Sequence, residues 1–447
     1  MSNHLFELIQ KYDIQGPRYT SYPTAPHWTQ AFSQKEYQEK LQSLAGDKTL
    51  ALYTHIPFCE EKCYFCACNV VITRKKEQAD LYLKYLKKEL SLLGPSLPSF
   101  PVTQIHWGGG TPTYLTCEQM EEYFREVEKY FSISPSAEIS LELDPRVTTL
   151  EQLKTLRRLG FNRVSMGVQD FDPKVQEAIH RHQTEEQTRQ AYEWCRELDF
   201  SSVNMDFVYG LPFQTRDSFE KNLKMIVALR PDRLAFYNYA HVPWHVSYQK
   251  FIPEHALPGA QLKVELFETA LAIFKEAQYL PIGLDHFAKS TDELIHAFEA
   301  HTLRRNFMGY TTQKESLLLA FGVSSISDVE DIYAQNFRKL SDYYKALDEN
   351  KWPIMKGHWL TADDQLRRQI IMELMCHLEV PTSLVSTLEQ ELLELKPMVQ
   401  DGFLEITSEK IRVTELGRVF LRNICMVFDA YLSKETQATP QQYSRTI

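Results

Sequence analysis

Between residues 50 and 240 six short β-rich runs alternate with amphipathic stretches: ALYTHIPF (51–58), QIHWGGG (104–110), EISLEL (138–143), RVSMGVQ (163–169), VNMDFVYGL (203–211) and RLAFYNY (233–239). The segments between them, 77–93, 118–131, 149–159, 184–198 and 215–229, carry helical periodicity. Strands separated by helices need crossover connections, so the pattern predicts a parallel sheet with right-handed crossovers, an α/β protein. Periodicity alone leaves an open doubly wound sheet and barrel-like closure both available.

The flanks differ. Residues 1–49 contain PRYTSYPTAPHW, whose prolines and aromatics predict an ordered, extended arm, because the rings need somewhere to pack. The core is expected over 50–245 and an extension over 246–359, with a helix at 260–280 and an extended segment with a turn at PIGLDHFA (281–288). Residues 360–447 predict a mainly helical C-terminal domain. Helices at 362–377 and 383–400 precede a hairpin in GFLEITSEKIRVTELG and a last helix over 414–433. That order resembles a winged helix, but residues 361–447 hold nine Lys and Arg against thirteen Asp and Glu. A DNA footprint is basic, so a packing or lid role is expected.

The whole chain carries a formal charge of −10, which argues against nucleic acid as a partner. An anionic ligand would need a local basic site. No apolar run is long enough for a membrane span, and MSNHLFELIQKYD lacks the charged and apolar regions of a secretory signal. A cytoplasmic protein is expected, and a monomer, since no apolar heptad run is visible.

Four of the eight cysteines, Cys59, Cys63, Cys66 and Cys68, fall within ten residues. A disulfide framework spreads its cysteines along a small secreted chain, whereas clustering in a long chain points to thiols kept as metal ligands. Cys117, Cys195, Cys376 and Cys425 stand singly and read as small buried hydrophobes. HIPFCEEKCYFCACN (55–69) spaces its sulfurs C-x3-C-x2-C directly after the first strand. Zinc on all four cysteines and a [4Fe–4S] cluster on three both remain open from spacing alone, with the cluster favoured.

Gly108, Gly109 and Gly110 follow the second strand without forming a dinucleotide fingerprint. They let a ligand approach bare backbone. Glu142 ends the third strand, Gln169 the fourth, Asp206 lies in the fifth and Ala240 follows the sixth. Charged residues in strands are rare unless paired or bound, and together these mark one C-terminal rim, where (β/α) barrels keep their chemistry.

A cysteine loop after the first strand with GGGTPT (108–113) after the second resembles the radical S-adenosylmethionine superfamily. The resemblance implies a partial (β/α)6 barrel and a [4Fe–4S] cluster on Cys59, Cys63 and Cys66. PRYTSYPTA (17–25), CYFCACN (63–69), HWGGGTPTYL (106–115), SMGVQDF (165–171), YGLPFQT (209–215), YNYAH (237–241), DHFA (285–288), RNFMGYTT (305–312) and YAQN (333–336) are similar to the oxygen-independent coproporphyrinogen III oxidase (dehydrogenase) family. That likeness implies haem biosynthesis: two propionates of coproporphyrinogen III become vinyl groups through a 5′-deoxyadenosyl radical, giving protoporphyrinogen IX. It implies two S-adenosylmethionine molecules, one near Tyr53, Phe65, Gly109, Glu142 and Ile326, the other near Gly110, Thr111, Gln169, Arg181, Asp206 and Ala240. It further implies an electron donor for the cluster and a catalytic part for Cys68 that is not ligation. Arg18 and Tyr19 are candidates for substrate carboxylates, since arginine grips a carboxylate bidentately.

Overall fold

The structure is a computed structural model that describes residues 3–313, 317–432 and 443–446. Its frame is one sheet of twelve strands: β1 (Leu50–Ile56), β2 (Pro101–Gly109), β3 (Ser132–Leu143), β4 (Arg163–Gln169), β5 (Ser202–Tyr209), β6 (Arg233–Asn238), β7 (Tyr279–Ile282), β8 (His286–Lys289), β9 (Leu317–Phe321), β10 (Ile326–Val329), β11 (Ile332–Asn336) and β12 (Ile354–Trp359). Their order is β12-β11-β10-β9-β1-β2-β3-β4-β5-β6-β8-β7. All pairs from β9 and β1 through β6 are parallel, and the outer strands are antiparallel. The six expected strands are therefore laid down side by side in chain order. With right-handed crossovers, that order puts the connecting helices on one face and curls the sheet about the other. This decides between the two closures left open above, in favour of the partial barrel.

The connecting helices are α1 (Glu77–Leu93), α2 (Cys117–Tyr130), α3 (Leu150–Arg158), α4 (Glu185–Glu197) and α5 (Arg216–Leu229). Reciprocal capping boxes start α2, α3, α4 and α5 at Thr116, Thr149, Thr184 and Thr215, satisfying amides the first turn leaves free. Alternate strand residues pack under these helices, among them Trp107, Leu141, Met166, Met205 and Phe207. Trp107 is fully buried against Tyr123, Phe124 and Phe161, and truncating it to alanine would cost about 4 kcal/mol.

The other set of alternate residues turns inward and is polar: Gln104 and His106, Glu138, Ser140 and Glu142, Ser165, Asn204 and Asp206 line a cavity of about 140 Å3. The barrel is thus a polar vessel. Its floor is closed by the hairpin 304–311, where Thr311 accepts from Gln104 at 3.2 Å.

The flanks depart from expectation in detail. Residues 1–49 form an arm that also contains helices at Asn3–Tyr12 and Gln34–Ser43. The first packs Leu8, Ile9 and Tyr12 into the C-terminal core. PIGLDHFA becomes the β7–β8 hairpin. The expected helix 383–400 is three short ones, Thr382–Val385, Glu389–Glu394 and Lys396–Gln400, the last carrying Pro397 in its first turn, which cannot donate to a preceding turn. The last helix breaks at Phe420, whose ring turns inward to stack on Phe403 at 4.1 Å; residue 433 of the expected span lies outside the described residues. Strands 379–381, 410–413 and 404–406 give this segment a three-stranded wing. Among the described residues no helix is long and apolar enough to cross a membrane.

Candidate active site

The cysteine loop leaves the end of β1 and is pinned from both sides. Phe58–Cys59 pairs with Val71–Ile72, the Tyr64 amide donates to the Ile179 carbonyl at 2.9 Å, and His180 Nδ1 meets the Lys62 carbonyl at 3.0 Å. Cys63 is buried, Cys59 and Cys66 half-buried, and Cys68 exposed. The Thr111 hydroxyl stands 3.4 Å from Cys59 Sγ. Two guanidiniums flank Cys63 Sγ, Arg181 Nη1 at 3.6 Å and Arg146 Nη2 at 3.8 Å. Asp144 holds both arginines, at 3.2 and 2.6 Å, and they keep its carboxyl down at about 2 against the cost of burial.

This donor set fits a [4Fe–4S] cluster. Three soft sulfurs share one loop, and fixed cations beside Cys63 offset the negative charge thiolates bring. The neighbouring Cys68 pulls the Cys66 thiol below its ordinary range, and Cys66 in turn pushes the Cys68 thiol up.

The glycine run faces this loop. Gly109 has φ +112°, and a Cβ there would lie 2.5 Å from the His55 ring. At Gly110 a Cβ would lie 2.7 Å from the Pro57 backbone, so the turn closes on the cysteine loop only without side chains. The Gly110 and Thr111 amides donate to the Ile56 and Phe58 carbonyls, each at 2.8 Å.

Glu142 stands beneath the glycines. One oxygen accepts from the Gly109 amide at 3.0 Å and the other lies 3.5 Å from His106 Nε2. Burial opposes its charge, but His106 and the Gly109 amide outweigh that and hold its carboxyl below the ordinary range. It stands at the barrel mouth and keeps 44% of its side-chain exposure. Asp206 accepts from Ser165 at 3.1 Å and Asn204 at 2.7 Å. Burial, and next the charge of Glu142, push it up to about 6. Tyr53 stacks on His106 with ring centres 6.0 Å apart, and its hydroxyl meets His55 Nδ1 at 3.1 Å. Burial, and next the charges of Glu142 and Cys68, raise the Tyr53 hydroxyl well above its ordinary value.

Gln169 ends β4 at a register shift with φ +72°, a strained conformation for a non-glycine residue. Arg181, an unremarkable surface residue by sequence, is buried: it spans Asp144 and the Gly167 carbonyl (2.7 Å), and its Nε has no partner. Phe65 and Ala240 are brought together by Gln249, whose amide donates to both carbonyls at 3.0 Å. Ile326 lies two strands from Tyr53. Tyr53 pairs with Ala320 of β9, whose amide donates to Ser327 beside Ile326, and the Ile326 side chain packs with Trp28 and Tyr333.

The two arm residues part company. Arg18 reaches the barrel mouth and donates to the Asn238 carbonyl at 2.5 Å. Tyr19 requires a correction: it is buried, with its hydroxyl given to Asp429 at 2.9 Å, so it anchors the arm to the C-terminal segment and is not open to a substrate carboxylate.

Sequence reasoning missed His55, His106, Asp144, Arg146 and Gln249. Asp144 and Arg146 follow Glu142 at the same strand end, a position that could have marked them; nothing local to Gln249 signals its role.

Sequence profiles agree with this geometry. One described as Radical SAM superfamily matches residues 53–226, and one described as HemN C-terminal domain matches residues 360–420. The chain is 42% identical to an oxygen-independent coproporphyrinogen III oxidase of Synechocystis sp., covering 99% of this chain and 97% of that protein. Its counterpart of the same name in Escherichia coli K12 is 42% identical, covering 98% of each. A solved structure described as coproporphyrinogen III oxidase (HemN) from Escherichia coli, a radical SAM enzyme, superposes with a TM-score of 0.91 at 40% identity, covering 95% of this chain and 98% of that one. A likeness of this extent, running through the cysteine loop, the barrel and the C-terminal segment alike, makes the chain a member of the oxygen-independent coproporphyrinogen III oxidase family within the radical SAM superfamily.

Proposed function

We propose that this chain oxidatively decarboxylates two propionates of coproporphyrinogen III to vinyl groups without oxygen, giving protoporphyrinogen IX in haem biosynthesis. The observation that carries this is the convergence of the cysteine loop, the glycine turn, Glu142 and Asp206 on one chamber, in a chain matched end to end by oxidases of that name. Cys59, Cys63 and Cys66 would hold the cluster. When bound, cluster and S-adenosylmethionine supply the 5′-deoxyadenosyl radical that takes hydrogen from a propionate β-carbon.

The chain's residues bind, orient and shield. Glu142 stays ionised and presents an acceptor beside the bare Gly109 backbone, suited to an amino group or a ribose hydroxyl. Tyr53, Phe65 and Ile326 complete that pocket in this reading. A second S-adenosylmethionine would lie against Gly110, Thr111, Gln169, Arg181, Asp206 and Ala240. Asp206, poised at about 6, accepts hydroxyl bonds at neutral pH and retains a proton below it. Arg18 at the mouth would grip a substrate propionate, and Cys68 would act on the chamber side of the ligands. The arm (1–49), core (50–245), extension (246–359) and C-terminal domain (360–447) would enclose the substrate in a cytoplasmic monomer that takes electrons from a separate donor.

The test is anaerobic: reconstitute the cluster, add dithionite, S-adenosylmethionine and coproporphyrinogen III, and weigh the porphyrin. Loss of two carbon dioxide units with 5′-deoxyadenosine is expected, and Cys68→Ser should keep its iron and lose turnover. 5′-Deoxyadenosine with all four propionates intact would sink the substrate assignment, and haem binding and haem consumption would be measured next.

A further inference from the structure

The three sulfurs read as cluster ligands stand in unequal surroundings. Cys63 is buried where Cys59 and Cys66 are half-buried, so it has the least access to water, the donor a thiolate ordinarily recruits. In place of water it meets two guanidiniums, Arg181 Nη1 at 3.6 Å and Arg146 Nη2 at 3.8 Å. Cys59 meets a neutral hydroxyl, that of Thr111, at 3.4 Å.

One carboxylate aims both arginines. Asp144 Oδ2 accepts from the two nitrogens that face Cys63, Arg146 Nη2 at 2.6 Å and Arg181 Nη1 at 3.2 Å. A terminal guanidinium nitrogen carries two N–H bonds, so each spends one on Asp144 and keeps one for the sulfur. Arg146 Nε also donates to both oxygens of Asp144, at 3.0 and 3.1 Å, and the Arg146 amide donates to Asp144 at 3.0 Å. Those bonds fix the plane of the fork.

Charge alone does not single out this arrangement. Asp144 offsets one of the two guanidiniums, and Glu61 stands 3.9 Å from Arg146 Nη1 on its other side. What Cys63 receives is directed N–H groups more than a net field. Hydrogen bonds to cluster sulfurs are one of the levers that set a reduction potential, and they weigh most where water is kept out. Reduction adds a negative charge, so a donor at the sulfur holds the reduced form more strongly than the oxidised one.

We propose that Arg146, aimed by Asp144, is a positioning residue that raises the reduction potential of the cluster through an N–H···S bond to Cys63. This rests on the cluster reading of Cys59, Cys63 and Cys66. Arg181 shares the sulfur but gives its other terminal nitrogen to the Gly167 carbonyl at 2.7 Å, beneath Gln169, so changing it would disturb the barrel mouth as well. Arg146 is the cleaner of the two to change.

The test uses the full-length protein with its cluster reconstituted and no S-adenosylmethionine, titrated in potential, with the reduced cluster read by electron paramagnetic resonance. At the potential that half-reduces the wild type, Arg146→Met should lower the ratio of reduced to oxidised cluster about tenfold, a midpoint about 59 mV lower for one electron. Arg146→Lys keeps the charge without the fork and should lower the ratio about threefold. Arg74→Met removes an exposed cation that pairs with Glu61 at 2.7 Å, away from the sulfur, and solvent screening should hold its effect under about twofold. A wild-type midpoint in Arg146→Met at full iron content, or an equal fall in Arg74→Met, would overturn the proposal. Should Arg146→Met fail to keep its iron, Arg146→Lys decides: a lowered midpoint upholds the bond and a wild-type midpoint overturns it. A wild-type protein that takes up no reducible cluster would overturn the cluster reading itself, and the proposal with it.

Discussion

The floor and the mouth of the barrel are made from the same strands and the same polar residue types, yet they are finished differently. At the floor charges meet their opposites. Arg163 is held by Glu138 at 3.1 Å and by Glu293, and Arg233 by Asp292 at 2.9 Å and Glu293 at 3.1 Å. At the mouth Glu142 keeps an open face, Arg181 has a guanidinium nitrogen without a partner, and Gln169 sits in a strained conformation. Buried charge is costly unless neutralised, so a completed network reads as structure and an incomplete one as a place reserved for a ligand.

The sharpest way to break this comparison is Glu142→Gln. It preserves shape and removes charge, and should lower turnover about a hundredfold, the scale of losing one charged contact in a water-poor site. Stability to urea should stay within about 0.5 kcal/mol. If stability fell along with turnover, the mouth would be as structural as the floor. The converse is Arg233→Met, which strands Asp292 and part of Glu293 and should cost about 3 kcal/mol of stability. S-adenosylmethionine cleavage per folded molecule should be unchanged; selective loss of cleavage would give the floor a role in the site.

The smallest effect is in pH dependence, and it compares Asp206 with a carboxyl outside the barrel. Glu89 is buried and accepts from the Gly322 amide at 2.8 Å, Asn336 and Tyr343; burial pushes it up to about 7. Both carboxyls bind a proton more tightly folded than unfolded. Their stabilising contribution is therefore complete below the unfolded values, 3.8 and 4.5, and is lost as pH rises through about 6 for Asp206 and about 7 for Glu89. Asp206→Asn and Glu89→Gln should each flatten the stability profile in its own window, by chemical denaturation of the cluster-free protein. Only Asp206→Asn should also change the pH dependence of S-adenosylmethionine affinity. The same change from Glu89→Gln would erase the distinction between the two carboxyls.

Much of this was legible in the chain. The six strands and five helices of the core lie where periodicity put them, because each strand has an apolar face under helices and each helix an apolar stripe on the sheet. The vessel-like interior was also present in the sequence, in alternations such as Glu138, Ser140 and Glu142. The flanks were less legible. The break at Phe420 follows from a packing partner on another element, Phe403, which stacks under its ring. Tyr19 and Arg18 are neighbours with opposite fates, and no local pattern separates a tyrosine bound to Asp429 from an arginine at the barrel mouth.

By itself the sequence determined the alternation of elements, the loop that carries Cys59, Cys63 and Cys66, the glycines that must face it and the family to which both belong. These are local: spacing, hydrophobic period and absent side chains act within a few residues. Only the tertiary structure decided that Asp144 and Arg146 stand behind Cys63, that Gln249 ties Phe65 to Ala240, that Arg181 is buried and that Glu142 and Asp206 share one field. Those facts depend on strand register and on contacts between residues far apart in the chain, where electrostatics acts through space and not along the backbone.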